Sequence, residues 1–189
     1  MDERTFLNQY RSGEKLFRGV NLRNAELSNA DLIGANLSGG DFQGANFVLA
    51  YLNGVNLTRA NLQGANLQNA ILQKARLGGA KLQGANLQGA KLFEADLNHA
   101  NLMSANLNDS ELLKANLTLA NLQGAYLQSA NLIEAILWGA NLIGADLQQA
   151  SLQSANLEYA NLADSNLREA DLHSFSFREF QKPTNPVSY

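Results

Sequence analysis

From Phe17 to Phe177 every fifth residue is Leu or Phe, without one slip of register. A period this short, kept for this long, excludes most folds. An α-helix turns 100° per residue, so a five-residue step moves the leucines 140° further round the cylinder each time and leaves no apolar face. An extended strand needs a period of two. A chain that turns about 90° per pentapeptide fits, because every Leu then points at one central axis. Four units close a coil of 20 residues, and the next coil stacks above it at ~4.8 Å. Residues 20–179 hold 32 units, which predicts an all-β solenoid of about eight coils and a rod of about 38 Å.

Each unit has five places. The third holds Leu in 29 units and Phe in three (Phe42, Phe47, Phe177), and the first holds Ala in 26 of 32. The other first places are Val20, Val55, Gly40, Ser110, Ser165 and Phe175. The second favours Asn or Asp, as in Asn36, Asn61, Asp96 and Asn141. Leu fills the axis, and Ala packs where a larger side chain would strike the opposite wall. Ala85→Phe is therefore expected to be severe and Asn86→Lys, pointing outward, nearly silent. Gly44, Gly64, Gly84, Gly124 and Gly144 share one corner column, interrupted only by Ser104. A type II turn in L-Q-G-A places such a Gly at its positive-φ position. The 20-residue recurrence is independent support for four units per coil.

The unit A-(N/D)-L-x-x resembles the motif of the pentapeptide-repeat family, and the match covers residues 20–179. The resemblance implies a right-handed quadrilateral β-helix; the handedness comes from the family and not from the spacing. The N-terminal stretch F-L-N-Q-Y-R-S-G-E-K-L-F-R-G-V-N-L is similar to the short capping helix and lead-in segment of cyanobacterial members. Some members regulate cell differentiation by protein contacts; others mimic B-DNA and act on gyrase.

Three segments are expected: a capping helix and lead-in over 1–19, the solenoid over 20–179, and a C-terminal tail over 180–189 that is expected to be disordered. The helix should run over about residues 3–12, with Asp2 as N-cap, Gly13 as its end, and Phe6, Leu7 and Tyr10 on the side that covers the open core. At the far end Phe175, Phe177 and Phe180 form either an aromatic cap or a homodimer contact. Pro183 and Pro186 lie in the polar tail.

Charge is uneven along the rod. Residues 1–91 carry ten Lys/Arg against six Asp/Glu, while 92–179 carry three against eleven. Columns 20 apart pair Lys74, Glu94, Lys114 and Glu134 in alternating sign, which reads as a structural charge ladder. Two Gln columns (Gln43, Gln63, Gln83, Gln123; Gln68, Gln88, Gln128, Gln148) read either as stacked amides or as tolerated exposed residues. Leu119, Ile136, Trp138 and Tyr159 lie on one face of adjacent coils and are the candidate protein-contact face. Ile33, Phe93, Leu113 and Ile133 form a second apolar group.

Nothing in the chain assembles an active site. His99 and His173 are far apart, without a carboxylate constellation around them. Ser110 and Ser165 stand in Ala places facing inward. The G-G-A stretches lack a P-loop Lys-Ser/Thr. Neither metal, cofactor nor enzyme activity is expected, and with no cysteine no disulfide forms. The basic cluster Lys74, Arg76, Lys81 and Lys91 reads as solvated surface, since nucleic-acid binding needs more basic charge and interleaved aromatics. No apolar run reaches the ~18 residues of a membrane span, and D-E-R at the start offers no signal-peptide stretch. The cytoplasm is the expected compartment. Two functions remain: a scaffold or regulator acting through protein–protein contacts, and a DNA-mimic binder of an enzyme such as gyrase.

Overall fold

The computed structural model describes residues 1–176. It opens with a helix, α1, over Glu3–Arg11. Asp2 caps it: one carboxylate oxygen accepts the Thr5 N–H at 2.8 Å and the other the Thr5 hydroxyl at 3.0 Å. The Thr5 backbone bond is the main cause that holds the Asp2 carboxyl below its ordinary value. The helix ends one residue short of expectation, with Ser12 as C-cap and Gly13 following at φ +105°.

From Leu16 onward the chain winds as a solenoid. Parallel bridges join each second-place residue to the residue 20 further on, from Leu16↔Asn36 through to Asn156↔Ser176. The coil is therefore 20 residues long, as the spacing requires. Each unit contributes a single bridging residue and then turns, so the walls contain no multi-residue strand among the described residues.

The backbone account is nearly complete within each unit. The second-place N–H donates to the coil before, as Asn86 to Ala65 O at 2.9 Å. Third- and fifth-place N–H groups donate to the coil after, as Leu87 to Asn106 O at 2.6 Å and Gly89 to Asn108 O at 2.9 Å. The next first-place N–H closes the turn, as Ala90 to Leu87 O at 3.0 Å. Only the fourth-place N–H lacks a backbone acceptor, and the second-place Asn or Asp supplies it: Asn86 Oδ1 accepts Gln88 N–H at 3.2 Å, and Asn46 Oδ1 accepts Val48 N–H at 3.1 Å. An unpaired backbone donor is costly, so the motif's Asn/Asp preference has a backbone cause.

These side chains also bond to one another up the walls. Asn86 Nδ2 donates to Asn66 Oδ1 at 3.2 Å, and Asn106 Nδ2 to Asn86 Oδ1 at 3.2 Å. The amide ladder is thus built from second-place asparagines. The Gln columns bond elsewhere, as Gln128 Nε2 to Asp146 at 2.6 Å and Gln88 Nε2 to Asp109 at 3.3 Å. Asn86→Lys is consequently not silent: it removes an acceptor and two ladder bonds, although Lys81 and Lys91 show that the place tolerates lysine.

Gly44, Gly64, Gly84, Gly124 and Gly144 have the positive φ expected of them, between +62° and +68°. Every fifth-place residue from Asn24 to Ser174 has φ between +54° and +70°, and most are not glycine. All four corners have this conformation, so the Gly column marks no special corner. Leu49, Glu94 and Tyr159 adopt it with a Cβ, at a cost of about 1 kcal/mol or more each, opposed by the turn and inter-coil hydrogen bonds.

Inside, the leucines from Leu27 to Leu157 and nearly all first-place alanines of the same span are buried. Phe42 and Phe47 meet edge-to-face at 5.6 Å between centroids. A Cβ on Gly40 would lie 2.5 Å from Phe42 Cε2. Gly40 thus replaces the usual Ala because a ring has taken its space. Gly40→Ala should cost about 1–3 kcal/mol. Adding Phe42→Leu, which restores the common A-x-L unit, should recover most of that loss in a denaturant melt; a double variant no better than the single would show that the ring is not the obstacle.

Against the first coil, Phe6 is fully buried and packs edge-to-face on Phe17 at 4.7 Å. Tyr10 is buried and donates its hydroxyl to Ile33 O at 2.8 Å, while Leu7 is half-buried. Glu3 carboxylate accepts the Glu26 N–H at 2.8 Å, a second-place donor that in later coils bonds to the coil before. At the other end Leu162, Leu167 and Leu172 are only half-buried, and Phe175 is 37% exposed. Phe177, Phe180 and the tail expected over 180–189 lie outside the described residues.

Candidate protein-contact face

Four turns per coil make four walls. The wall of interest is formed by residues 35–39, 55–59, 75–79, 95–99, 115–119, 135–139 and 155–159. Its second-place order is fixed by the bridges Asn56↔Arg76, Arg76↔Asp96, Asp96↔Asn116, Asn116↔Ile136 and Ile136↔Asn156. All four candidate residues stand here on three successive coils.

They form a continuous patch. Trp138 and Tyr159 meet edge-to-face, centroids 5.5 Å apart with planes at 69°. Leu119 lies across the next coil: a Cβ on Gly139 would come within 2.8 Å of Leu119 Cδ2. Leu119, Ile136, Trp138 and Tyr159 remain 44%, 42%, 38% and 37% exposed. A rigid wall thus presents two aromatic rings and two aliphatic side chains to solvent. The Trp–Tyr contact and the Leu119–Gly139 contact join residues about 20 apart, which only the coil register brings together.

The second group divides. Phe93, Leu113 and Ile133 stack on three consecutive coils of another wall but are half-buried, and Ile33 stands well apart from them and exposed. Beside this column the charge ladder resolves into two separate pairs, Lys74–Glu94 at 3.5 Å and Lys114–Glu134 at 3.4 Å. Both are solvent-exposed, so each contributes under about 1 kcal/mol.

The sequence-singled polar residues do not converge. Ser110 is buried with its hydroxyl unpartnered, and Ser165 Oγ donates to Leu162 O at 2.7 Å. His99 is exposed on the contact wall; His173 Nδ1 sits 2.7 Å from Asp171 Oδ1. Among the described residues no group of three or more His, Cys, Asp or Glu is placed to hold a metal ion, and no helix is long and apolar enough to cross a membrane. Hydrogen bonds from Gln153, then His173, hold the Asp171 carboxyl down at about 2 against an ordinary 3.8. A lowered carboxyl favours the folded state above pH ~3.8, and that contribution is lost as pH falls through about 2. Carbon-detected NMR should follow this protonation at the last coil, with a midpoint near pH 2; a midpoint at the ordinary value would mean that the Gln153 bond does not form in solution.

Five-residue units wound four to a coil, with the leucines inside, define a repeat protein of the solenoid class. The chain belongs to the pentapeptide repeat family, whose model matches in eight copies from residues 16–47 to residues 145–179. Among solved structures it is similar to HetL, a pentapeptide repeat protein involved in heterocyst differentiation regulation in the cyanobacterium Nostoc. Identity is 32% over 93% of this chain and 96% of that one, with a TM-score of 0.34. A trypsin-treated form of QnrB1, a plasmid-mediated fluoroquinolone resistance protein, is 26% identical over 89% of this chain and 87% of that one, with a TM-score of 0.53. A pentapeptide repeat protein of the Arabidopsis thaliana thylakoid lumen is 33% identical over 52% of this chain and 66% of that one, with a TM-score of 0.30. No curated protein matches the chain.

Proposed function

We propose that this protein is a non-catalytic scaffold or regulator that works by protein–protein contact, on a right-handed quadrilateral β-helix whose handedness follows the family. The observation that carries this reading is the patch of Leu119, Ile136, Trp138 and Tyr159, exposed on one wall and internally packed. Aromatic side chains held rigid at the centre of a flat surface are the common anchors of protein interfaces. The similarity to HetL, itself a regulatory protein, supports the same class. A cytoplasmic location belongs to this proposal.

Pull-down from the native host with wild type and with Trp138→Ala and Tyr159→Ala tests the reading. Both variants should fold, since their side chains lie outside the leucine core, and should lose most partner recovery. Unchanged recovery would remove this wall from the account. A second reading, a DNA-mimic binder of an enzyme such as gyrase, draws on the similarity to QnrB1 and on the acidic half of the chain over 92–179. A supercoiling assay with no effect at micromolar protein would eliminate it.

A further inference from the structure

We propose that two copies of this chain pair through a different wall, that of 50–54, 70–74, 90–94, 110–114, 130–134 and 150–154, antiparallel and in one register. The Trp138 patch takes no part in this contact. What singles out a second copy is that the sign of charge along this wall reverses about one point. Its fifth places run Lys74, Glu94, Lys114 and Glu134, and its second places carry Lys91 and Glu111. Consider a two-fold axis lying across the rods, between 90–94 and 110–114. It reverses the order of the coils and keeps each place in the unit opposite the same place. Lys74 then faces Glu134 of the second copy, Glu94 faces Lys114, and Lys91 faces Glu111. An isologous contact needs this self-complementarity; a wall that meets only water does not.

The ion pairs within one chain fit this arrangement. Lys74–Glu94 and Lys114–Glu134 bond at 3.5 and 3.4 Å, whereas Glu94 and Lys114, also successive in the column, do not pair. Setting Glu94 against the second copy's Lys114, and Lys74 against its Glu134, closes a ring of four alternating charges and keeps both intrachain pairs. The two-fold axis makes two such rings. Lys91 and Glu111 stand on neighbouring coils, both exposed. They nevertheless make no ion pair among the described residues, and the second copy supplies each with a partner. Between the two charged columns lie Phe93, Leu113 and Ile133, half-buried. The strip therefore has an apolar centre and a charged rim.

Size selects the same register. Tyr51, 47% exposed, is the largest second-place side chain of the wall, and it falls opposite Ser151, the smallest. A slip of one coil sets Tyr51 against Asn131 or Asp171. The same slip opposes Lys74 to Lys114, or Glu94 to Glu134, and brings Lys91 or Glu111 against its own copy. A parallel pairing, with the axis along the rods, turns second places toward fifth and leaves Lys74 and Glu134 opposite Ile71 and Asn131. Only the antiparallel sense sets the basic half of one chain against the acidic half of the other. Asp31 against Asp171 is the one like-charged opposition, on the outermost coils, about 17 Å from the axis. From 50–54 to 150–154 the strip spans five rises of ~4.8 Å, about 24 Å. A strip of that size falls at the low end of specific interfaces, so the dimer is expected to be micromolar or weaker. The wall of Trp138 stays outside the contact, and the pair then carries two such patches on one flank, a bivalent surface.

Sedimentation equilibrium on the full chain between about 1 and 500 µM should show a monomer–dimer equilibrium. Lys91→Glu alone and Glu111→Lys alone should each weaken it roughly tenfold or more, because each opposes like charges on both sides of the axis. Both variants should keep the coil, since second places already hold lysine and glutamate, as at Lys81 and Glu26; urea melts check this. An equimolar mixture of the two variants should regain wild-type association, because every position 91 then meets the opposite charge at position 111. In a parallel pairing position 91 meets Glu94, and mixing gains nothing. Trp138→Ala should leave the dimer unchanged. A wild type that stays monomeric at the highest concentration, a mixture no better than its components, or a dimer lost with Trp138→Ala would each overturn the proposal. The pull-down reads the Trp138 wall separately: partners lost there without self-association here leave that wall standing and remove only the dimer.

Discussion

Ala85→Phe is expected to destabilise the rod by more than about 3 kcal/mol, at the upper end of what overpacking produces. Ala85 is 1% exposed and faces the axis between Leu82 and Leu87, both fully buried. Phe42 shows how a ring on the axis can take its neighbour's space. Where Phe42 enters the axis, the first place of its own unit is Gly40, and a methyl there would stand 2.5 Å from the ring. No such concession exists around Ala85. Its walls cannot move apart without breaking the bonds that tie Asn86 N to Ala65 O and Leu87 N to Asn106 O. Asn86→Lys, one residue away, provides the contrast. It removes the acceptor of Gln88 N–H and the ladder bonds to Asn66 and Asn106, but at a part-exposed site where water can substitute. About 0.5–1.5 kcal/mol is expected. Urea melts of the two variants decide the matter: equal losses would mean that Ala85 does not face the axis.

Leu102→Ala should cost about 2–5 kcal/mol, because it leaves a cavity on an axis with no mobile element to fill it. Leu102 is fully buried and has complete coils on both sides. The same substitution at Leu162, which is only half-buried, should cost much less, roughly 1 kcal/mol. The contrast has a second consequence. In a solenoid each coil contacts only its neighbours, so stability is approximately a sum of coil and interface contributions. A defect at Leu102 weakens the link between the two halves of the rod and should broaden or split the unfolding transition. A defect at Leu162 should fray one end and leave the main transition in place. Hydrogen exchange resolved by coil distinguishes these outcomes; two variants with the same pattern of exchange would contradict nearest-neighbour stability.

The larger part of the fold was legible because a five-residue period admits so few solutions. The 20-residue coil, the inward Leu and Ala, and a helix with Asp2 as its cap all follow from side-chain size and spacing along the chain. The role of the second-place Asn was missed, although its recurrence was visible. Its cause lies in the backbone: one N–H in five has no main-chain acceptor, and this emerges only once the coils are stacked. The glycine column was read correctly but too narrowly, for a related reason. Turn chemistry read locally assigns positive φ to Gly, whereas the closed coil imposes it on Leu49, Lys74 and Tyr159 as well.

The contact wall divides in the same way. Counting by twenty places Leu119, Ile136, Trp138 and Tyr159 on one side of the rod. That Trp138 packs on Tyr159, that Leu119 lies over Gly139, and that Asn98 reaches over Gly78 are facts of three-dimensional approach. The period, and with it the set of side chains that meet at the axis, can be read along the chain, because apolar burial depends on a pattern that can be counted. Which surface side chains touch, and which polar atoms pair between coils, is settled by the stacking of the coils. Those contacts depend on the lateral reach and rotamer of each side chain across neighbouring coils, and no one-dimensional period encodes them.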